Sequence, residues 1–146
     1  MSLLIGQSRP LVLVVDDDSR TIKILSTLLS SEGCDVVVAC DGTSALGRLE
    51  ERRPDIILLD VMMPGLDGFE VCRLLRSARP TRDVPIILLT ALSDPSYQRR
   101  GLKLGAAAYV TKPFDHDELL QTIQQHLVPP PPLVEERLSV SQMSAV

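Results

Sequence analysis

The chain has 146 residues, 45% of them hydrophobic and 23% charged, which is the size of a single globular domain with its own core. Fifteen basic and nineteen acidic side chains give a net charge of −4, and this balance argues against an electrostatic nucleic-acid binder. No apolar run approaches the ~18 residues of a membrane span, and the first residues do not form a signal-peptide pattern. Three cysteines without metal-ligand spacing predict reduced thiols, so we expect a cytoplasmic protein.

Five short apolar segments predict β-strands. Their apolar residues are continuous rather than alternating, which is typical of parallel strands that are buried on both faces. The segments are Leu11–Val15, Asp35–Ala39, Ile56–Leu59, Pro85–Leu89 and Ala106–Val110.

Segments with helical periodicity follow each strand. Ser19 is a candidate N-cap of the first helix, and Gly33 is its expected stop. The fourth helix is expected to begin at Asp94 and to be the softest, because it contains Gly101. Five strand–helix units predict an α/β fold with a parallel sheet, and the chain is too short for a barrel of ~250 residues. We therefore expect an open sheet with helices on both faces.

The domain organisation follows from the proline content near the end of the chain. The folded domain is expected over residues 11–128, after an N-terminal extension at 1–10. Four consecutive prolines at 129–132 begin a segment, 129–146, that is either a semi-rigid linker or a disordered tail. In the first case the chain continues into an output domain.

Polar residues follow four of the predicted strands. They are Asp16, Asp17 and Asp18 after the first, Asp60 after the third, Thr90 after the fourth, and Thr111 and Lys112 after the fifth. The carboxyl ends of parallel strands lie along one edge of a sheet, where ligands bind. We therefore expect residues as distant in sequence as Asp17 and Lys112 to be neighbours.

These residue types together suit phosphoryl chemistry. Clustered carboxylates repel unless a cation intervenes, and hard oxygen ligands suit Mg²⁺. A lysine offers a point charge to a phosphoryl oxygen, a threonine offers a hydrogen bond, and a carboxylate can itself be the nucleophile. Each residue alone is an ordinary turn residue, so these positions by themselves leave the metal–phosphate interpretation and a purely structural one open.

The motifs taken together resemble the receiver domain of two-component response regulators. The matching segments are LVLVV with the acidic pair that follows it, DIILLDVMMPGLDGFEVCRLLR, VPIILLTA and AAAYVTKPF, and the resemblance runs from about Leu11 to Leu127. It implies a flavodoxin-like fold with strand order 2-1-3-4-5. It also implies that a histidine kinase supplies a phosphoryl group.

The resemblance assigns roles to particular residues. It implies that Asp60 is the phosphoacceptor, and that Asp16, Asp17, Asp60 and the backbone carbonyl of Met62 bind Mg²⁺. It implies that Thr90 and Lys112 bind phosphoryl oxygens, that Tyr109 swings inward when Thr90 moves, and that the bond before Pro113 is cis. Asp18 is interpreted as a residue that favours the start of a helix and not as a ligand.

Three further details carry expectations. Gly65 and Gly68 are expected to shape the loop after Asp60 with positive φ. In the family that the chain resembles, the positions two residues after Asp60 and Thr90 tune the access of water to the acyl phosphate. The resemblance therefore implies that the apolar Met62 and Leu92 slow the loss of the phosphoryl group. Arg73, Arg76 and Arg79 form a basic stripe that is either a solvated face or a contact for an acidic partner.

Other functions fit the sequence less well. A dehalogenase-type phosphatase needs a second Asp two residues after the nucleophile, where this chain has Met62. A degenerate receiver would lack one of the key residues, and a nucleotide or flavin site would need a glycine-rich first turn rather than three aspartates. The expected function is a signalling module, not an enzyme with a separate substrate. Its expected partners are a histidine kinase, and either a second copy through a 94–127 surface or an output domain, with no nucleic acid or membrane bound by this domain.

Overall fold

A computed structural model describes residues 9–127, and it contains five strands and five helices in strict alternation. The strands are β1 (Leu11–Val15), β2 (Asp35–Ala39), β3 (Ile56–Leu59), β4 (Ile86–Thr90) and β5 (Ala108–Thr111). The helices are α1 (Ser19–Ser31), α2 (Gly42–Glu51), α3 (Gly68–Ser77), α4 (Pro95–Lys103) and α5 (His116–His126). The expectations for residues 1–8 and 128–146 lie outside the described residues.

All strand pairs are parallel, and the sheet order is β2-β1-β3-β4-β5. The register places Val15 beside Leu59, and Leu59 beside Leu88. The carboxyl ends of β1 and β3 are therefore level at the centre of the sheet. The α/β class, the parallel sheet and the strand order predicted from the sequence are confirmed.

Each face of the sheet has its own core. One core packs Leu13, Leu59 and Leu88 against α2 and α3, and the other packs Val14 and Leu89 against α1 and α5. A fully buried Leu or Ile side chain contributes roughly 1.5–3 kcal/mol, so the strands are strongly fixed from both sides. This burial holds the strand ends, and hence the polar residues attached to them, in fixed positions.

Every helix begins after an aspartate whose carboxylate accepts a backbone N–H of the first turn. These N-caps are Asp18, Asp41, Asp67, Asp94 and Asp115. The prediction of Ser19 as the first cap is wrong, because Asp18 accepts the N–H of Arg20 at 2.9 Å and Ser19 is already helical. A carboxylate there also offsets the positive end of the helix dipole.

At their carboxyl ends, β4 and β5 each extend one residue further than the sequence predicted, and both begin later than predicted. Thr90 and Thr111 are the last residues of β4 and β5, and the N–H of Lys112 still donates to the Thr90 carbonyl at 2.8 Å. β5 begins at Ala108 and not at Ala106: the Ala106 N–H donates back to the Gly101 carbonyl, and the Ala107 N–H makes the first bond to β4, at the Ile86 carbonyl. Lys112 is therefore fixed by the ladder and not by a loose loop.

No helix in the described range is both long and apolar enough to cross a bilayer.

Cys34 and Cys72 are buried, Cys40 is exposed, and all three are unpaired thiols. Burial raises the pKa of the Cys34 thiol to about 11.

Candidate functional site

Two aspartates are buried at the centre of the carboxyl edge of the sheet. Asp16 follows β1 and is 2% exposed, and Asp60 follows β3 and is 6% exposed. Their backbones continue the hydrogen bonding between the strands: the Asp16 N–H donates to the Ala39 carbonyl, and the Asp60 N–H donates to the Val15 carbonyl. The sheet itself therefore sets where the two carboxylates lie.

Asp17 joins them from the start of the β1–α1 loop. One carboxylate oxygen from each of Asp16, Asp17 and Asp60 lies within 4.8 Å of the other two. Asp17 is exposed, so the group is open to solvent on one side. Three hard oxygen donors with room for water on one side suit a divalent cation such as Mg²⁺.

Lys112 supplies the opposite charge. Its Nζ lies 2.7 Å from Asp16 Oδ2 and 3.2 Å from Asp60 Oδ2. Burial raises the pKa of Asp16 despite the hydrogen bond from Lys112 that acts against it. Burial alone would lower the pKa of Lys112, but the two carboxylates outweigh it and raise that pKa. The lysine is therefore held as a cation between the two buried acids.

The loop between β3 and α3 forms one wall of the site. The Met62 N–H donates to Asp60 Oδ1 at 3.1 Å, so both oxygens of Asp60 have a donor. Met62 is 54% exposed. Gly65 has φ +77°, as expected, but Gly68 does not have positive φ, because it is the first residue of α3. The expectation for Gly68 is wrong.

Thr90 is the last residue of β4, the strand next to β3, and Tyr109 lies in β5. Thr90 is fully buried, and its hydroxyl accepts the Leu92 N–H at 3.4 Å. Tyr109 packs partly against the core, and its hydroxyl donates to the Leu92 carbonyl at 2.6 Å. Burial, with smaller effects of Tyr97 and Asp60, raises the pKa of the Tyr109 phenol. Both side chains thus contact one residue of the loop between β4 and α4.

The Lys112–Pro113 bond is cis. Asp18 is the N-cap of α1, with one carboxylate oxygen on the Arg20 N–H.

The sequence profile of the response regulator receiver domain matches residues 12–124. The chain belongs to this family. It is 44% identical over 119 residues to the DNA-binding response regulator MtrA of Mycobacterium tuberculosis, covering 82% of this chain and 51% of MtrA. It is 39% identical over 122 residues to PilG of Pseudomonas aeruginosa, covering 83% of this chain and 90% of PilG. The chain thus spans about half the length of MtrA but most of PilG.

The fold of the receiver domain also matches solved structures. One is the receiver domain of the sensor histidine kinase PA1611 from Pseudomonas aeruginosa, which has a magnesium ion coordinated in its active-site cleft. It superposes with a TM-score of 0.75 at 33% identity, over 82% of this chain and 98% of that one.

Of the residues predicted to share the edge of the sheet, Asp16, Asp17, Asp60 and Lys112 come together, whereas Asp18 caps α1 and Thr111 is exposed. The Met62 N–H contacts Asp60, and Thr90 and Tyr109 both contact Leu92. In the basic stripe, Arg73 and Arg79 are exposed, Arg76 is half-buried, and Arg79 lies beyond the end of α3. Arg73 pairs with Glu70, whereas Arg76 donates to the carbonyls of Gly105, Thr81 and Arg82. Helical spacing cannot distinguish these cases, because the carbonyl partners of Arg76 lie in other segments.

The sequence did not indicate the contacts above Phe69. The rings of Phe69 and Tyr97 stack with centroids 6.4 Å apart, and the Arg100 guanidinium carbon lies 4.3 Å from the Phe69 centroid. Both Tyr97 and Arg100 belong to α4. This helix is therefore attached to α3 through aromatic and cation–π contacts near the site.

Proposed function

We propose that this receiver accepts a phosphoryl group on Asp60 from a phosphohistidine of a histidine kinase, with Mg²⁺, and signals through the surface formed by residues 94–127. The observation that carries the proposal is the buried Asp60 carboxylate, which lies beside a second buried acid and within 3.2 Å of Lys112. Membership of the receiver family and the magnesium in the cleft of PA1611 support it.

Asp16, Asp17, Asp60 and the Met62 backbone carbonyl would hold the ion. Bound there, Mg²⁺ would neutralise charge on the oxygens of the phosphoryl group during transfer. The donor set fits a hard cation, because three carboxylate oxygens converge within 4.8 Å and only one lysine lies among them.

The chain's own residues then carry the transfer. An Asp60 carboxylate oxygen attacks phosphorus, the bond from phosphorus to the kinase imidazole nitrogen breaks, and the nitrogen keeps the electron pair. Lys112 can exchange its contact with Asp60 for one with a phosphoryl oxygen while it keeps Asp16. Thr90 donates its hydroxyl to another phosphoryl oxygen. The receiver turns over no separate substrate, and its only reactions are its own phosphorylation and dephosphorylation.

The switch follows from the contacts of Thr90 and Tyr109 with Leu92. If the Thr90 hydroxyl turns toward the phosphoryl group, it releases the Leu92 N–H. The change then passes to α4, β5 and α5. The proposed output is either dimerisation through this surface or control of an output domain joined by the segment 129–146. Residues 1–10 are proposed to be an extension outside the 11–128 domain.

The proposed location is the cytoplasm, because the three unpaired thiols suit a reducing compartment. The net charge of −4 supports partners other than nucleic acid for this domain.

The acceptor is tested with acetyl phosphate and Mg²⁺, followed by intact-mass spectrometry. The wild type should gain one phosphoryl group that hydroxylamine removes, because an acyl phosphate is labile to that nucleophile. Asp60→Asn should gain none, and Asp17→Asn should need a much higher Mg²⁺ concentration. Equal labelling of Asp60→Asn would show that the acceptor is a different residue.

The switch is tested by amide hydrogen exchange with and without acetyl phosphate. Protection should change across 94–127 in the wild type. Thr90→Ala should still be phosphorylated but should show a much smaller change in that range. A change confined to the neighbourhood of Asp60 would exclude the proposed surface.

A further inference from the structure

We infer that Gly68 and Gly42 are positioning residues for phosphoryl transfer: because they lack side chains, α3 and α2 can pack directly on the loop that carries Asp60 and Met62. The inference rests on the proposed function, but neither glycine contacts the phosphoryl group or the ion in that proposal. It concerns how the acceptor is held and not which residue accepts.

Gly68 lies against the backbone of the acceptor. A Cβ added at Gly68 would be 2.7 Å from Val61 Cα and 2.9 Å from the Asp60 carbonyl carbon, and still closer to the Asp60 carbonyl oxygen. Ordinary contact for a Cβ begins at 3.4 Å, so the backbone atoms would have to separate by at least about 0.7 Å. These are main-chain atoms at the end of a central strand, so they cannot turn aside as a flexible side chain could.

The peptide that would move carries both predicted functions of this loop. The Gly68 N–H donates to the Val61 carbonyl at 2.9 Å, and the Met62 N–H donates to Asp60 Oδ1 at 3.1 Å. A displacement of the Asp60–Val61 peptide therefore alters the carboxylate that accepts the phosphoryl group. It also alters the Met62 carbonyl that is proposed to bind the ion.

Gly42 supports the same loop from α2. A Cβ at Gly42 would lie 2.9 Å from each of three atoms: Leu66 Cβ, the Leu66 carbonyl oxygen and Val71 Cγ2. Leu66 is in the loop and Val71 is in α3. The loop after Asp60 is thus packed between the first residue of α2 and the first residue of α3.

Gly47 provides a matched control. It lies in α2 like Gly42, and a Cβ there would meet nothing within 4 Å. Gly47→Ala makes the same chemical change in the same helix without a contact, so it reports the effect of the helical backbone alone.

The experiment measures phosphorylation of the full chain by acetyl phosphate as a function of Mg²⁺ concentration. The fit gives a maximal rate and a half-saturating Mg²⁺ concentration for each variant, and urea unfolding gives its stability. A misplacement of about 1 Å can cost about 10²-fold in rate. We expect Gly68→Ala to lower the maximal rate at least about tenfold and to raise the half-saturating Mg²⁺ concentration. Gly42→Ala should have a smaller effect in the same direction, and Gly47→Ala should match the wild type.

A second readout needs no phosphoryl donor. Backbone amide resonances of Asp60, Val61 and Met62, followed by NMR during a titration with MgCl2 alone, report the loop and its affinity for the ion. Gly68→Ala should shift these resonances before Mg²⁺ is added and should weaken the titration. Gly47→Ala should leave them in place.

The effect of lost stability is separated from the effect of positioning with Leu29→Ala, which truncates a fully buried side chain of α1 in the core on the other face of the sheet, outside residues 94–127. It should lower stability without changing the maximal rate or the Mg²⁺ dependence. The inference is overturned if Gly68→Ala keeps both kinetic values within twofold of the wild type. It is also overturned if Leu29→Ala lowers both kinetic values as much as Gly68→Ala does at a similar loss of stability.

If Gly68→Ala does not fold, the inference is tested with Gly42→Ala instead. It is overturned if the maximal rate and half-saturating Mg²⁺ concentration of Gly42→Ala equal those of Gly47→Ala. Failure of the proposed function gives a different result, because the wild type itself would then not be phosphorylated. In that case the MgCl2 titration decides the inference: it stands only if Gly68→Ala weakens the titration and Gly47→Ala does not.

Discussion

Neighbouring helices on one face of the sheet are held in very different ways. Helix α3 buries Phe69, Val71, Cys72 and Leu75, whereas α4 buries only Gly101 in the described structure. Helix α4 is attached instead by Tyr97 and Arg100 over Phe69, and by backbone contacts at its carboxyl end. Helix α3 therefore fixes the loop after Asp60, and α4 is the helix that the proposed switch can shift at lower cost.

The largest test of this difference compares one leucine in each helix. Leu75→Ala removes a side chain that is 3% exposed, and it should lower the free energy of unfolding by about 2–5 kcal/mol. Leu102→Ala in α4 removes one that is 43% exposed, and it should change that free energy by no more than about 0.5 kcal/mol. Urea denaturation measures both. Equal losses would mean that α4 is as firmly packed as α3.

The second test concerns the carboxyl end of α4. The Arg76 guanidinium in α3 donates to three backbone carbonyls: those of Gly105 at 3.0 Å, Arg82 at 3.0 Å and Thr81 at 3.3 Å. Arg76→Lys keeps the charge but loses the fork of donors, and it should cost about 1–2 kcal/mol in the free energy of unfolding.

Amide exchange should also become faster around Leu104 and Gly105 in this variant. Arg73→Lys is the control, because Arg73 only pairs with Glu70 at the surface of the same helix. If both variants exchange alike, Arg76 does not anchor the turn after α4.

Gly101 gives a smaller effect of the same kind. A Cβ there would meet Leu88 Cδ1 at 2.5 Å and Tyr109 Cδ1 at 3.4 Å. Overpacking costs about 1–3 kcal/mol, and alanine in a helix recovers about 0.5–1 kcal/mol relative to glycine. Gly101→Ala should therefore destabilise by about 1 kcal/mol, with faster amide exchange across α4 and unchanged exchange in α3. Gly47→Ala, by contrast, should be slightly stabilising, and a stabilising Gly101→Ala would contradict the close contact.

The smallest effect is the pH dependence of the stability that the Asp94 cap gives to α4. The Asp94 carboxylate accepts the Ser96 N–H at 2.8 Å, and this bond lowers the pKa of Asp94 below its usual 3.8. A lowered pKa in the folded state gives a contribution to stability that is present above the unfolded value and is lost as pH falls through the folded one.

The stability difference between wild type and Asp94→Asn should therefore be constant from pH 5 to 8 and should change only below about pH 4. Urea unfolding of both proteins across this pH range measures it. A difference that changes around pH 6 or 7 would assign the titration to another group.

The sequence predicted the fold because its signals were local. Continuous apolar runs such as Leu11–Val15 and Ile56–Leu59 were sufficient to predict parallel strands, and their order along the chain placed Asp16 and Asp60 at one edge. The strand order came from the family resemblance and not from the pattern. Ser19 was predicted as a cap because Ser and Asp both cap helices, and only the backbone geometry shows that Asp18 does.

The features that the sequence did not predict all depend on which atoms of other segments pack against a residue. Gly101 was interpreted through its low helix propensity, but in the structure it is buried where α4 approaches Leu88 and Tyr109. Gly68 was assigned a positive φ because it stands in a glycine-containing loop, but what it provides is space beside Asp60. Propensity describes a residue in isolation, whereas these roles come from atoms in other segments.

The bridge from Lys112 to both buried acids also has a consequence for biosynthesis. Lys112 lies 96 residues after Asp16 and 52 after Asp60, and it reaches them only through pairing of β4 with β5. A chain still on the ribosome that has exposed β1 to β4 already has Asp60 and its acidic neighbours, but it lacks the lysine that bridges Asp16 and Asp60. Such a nascent chain cannot form the Lys112 bridge, so the arrangement on which the proposed function rests is complete only once synthesis has passed β5.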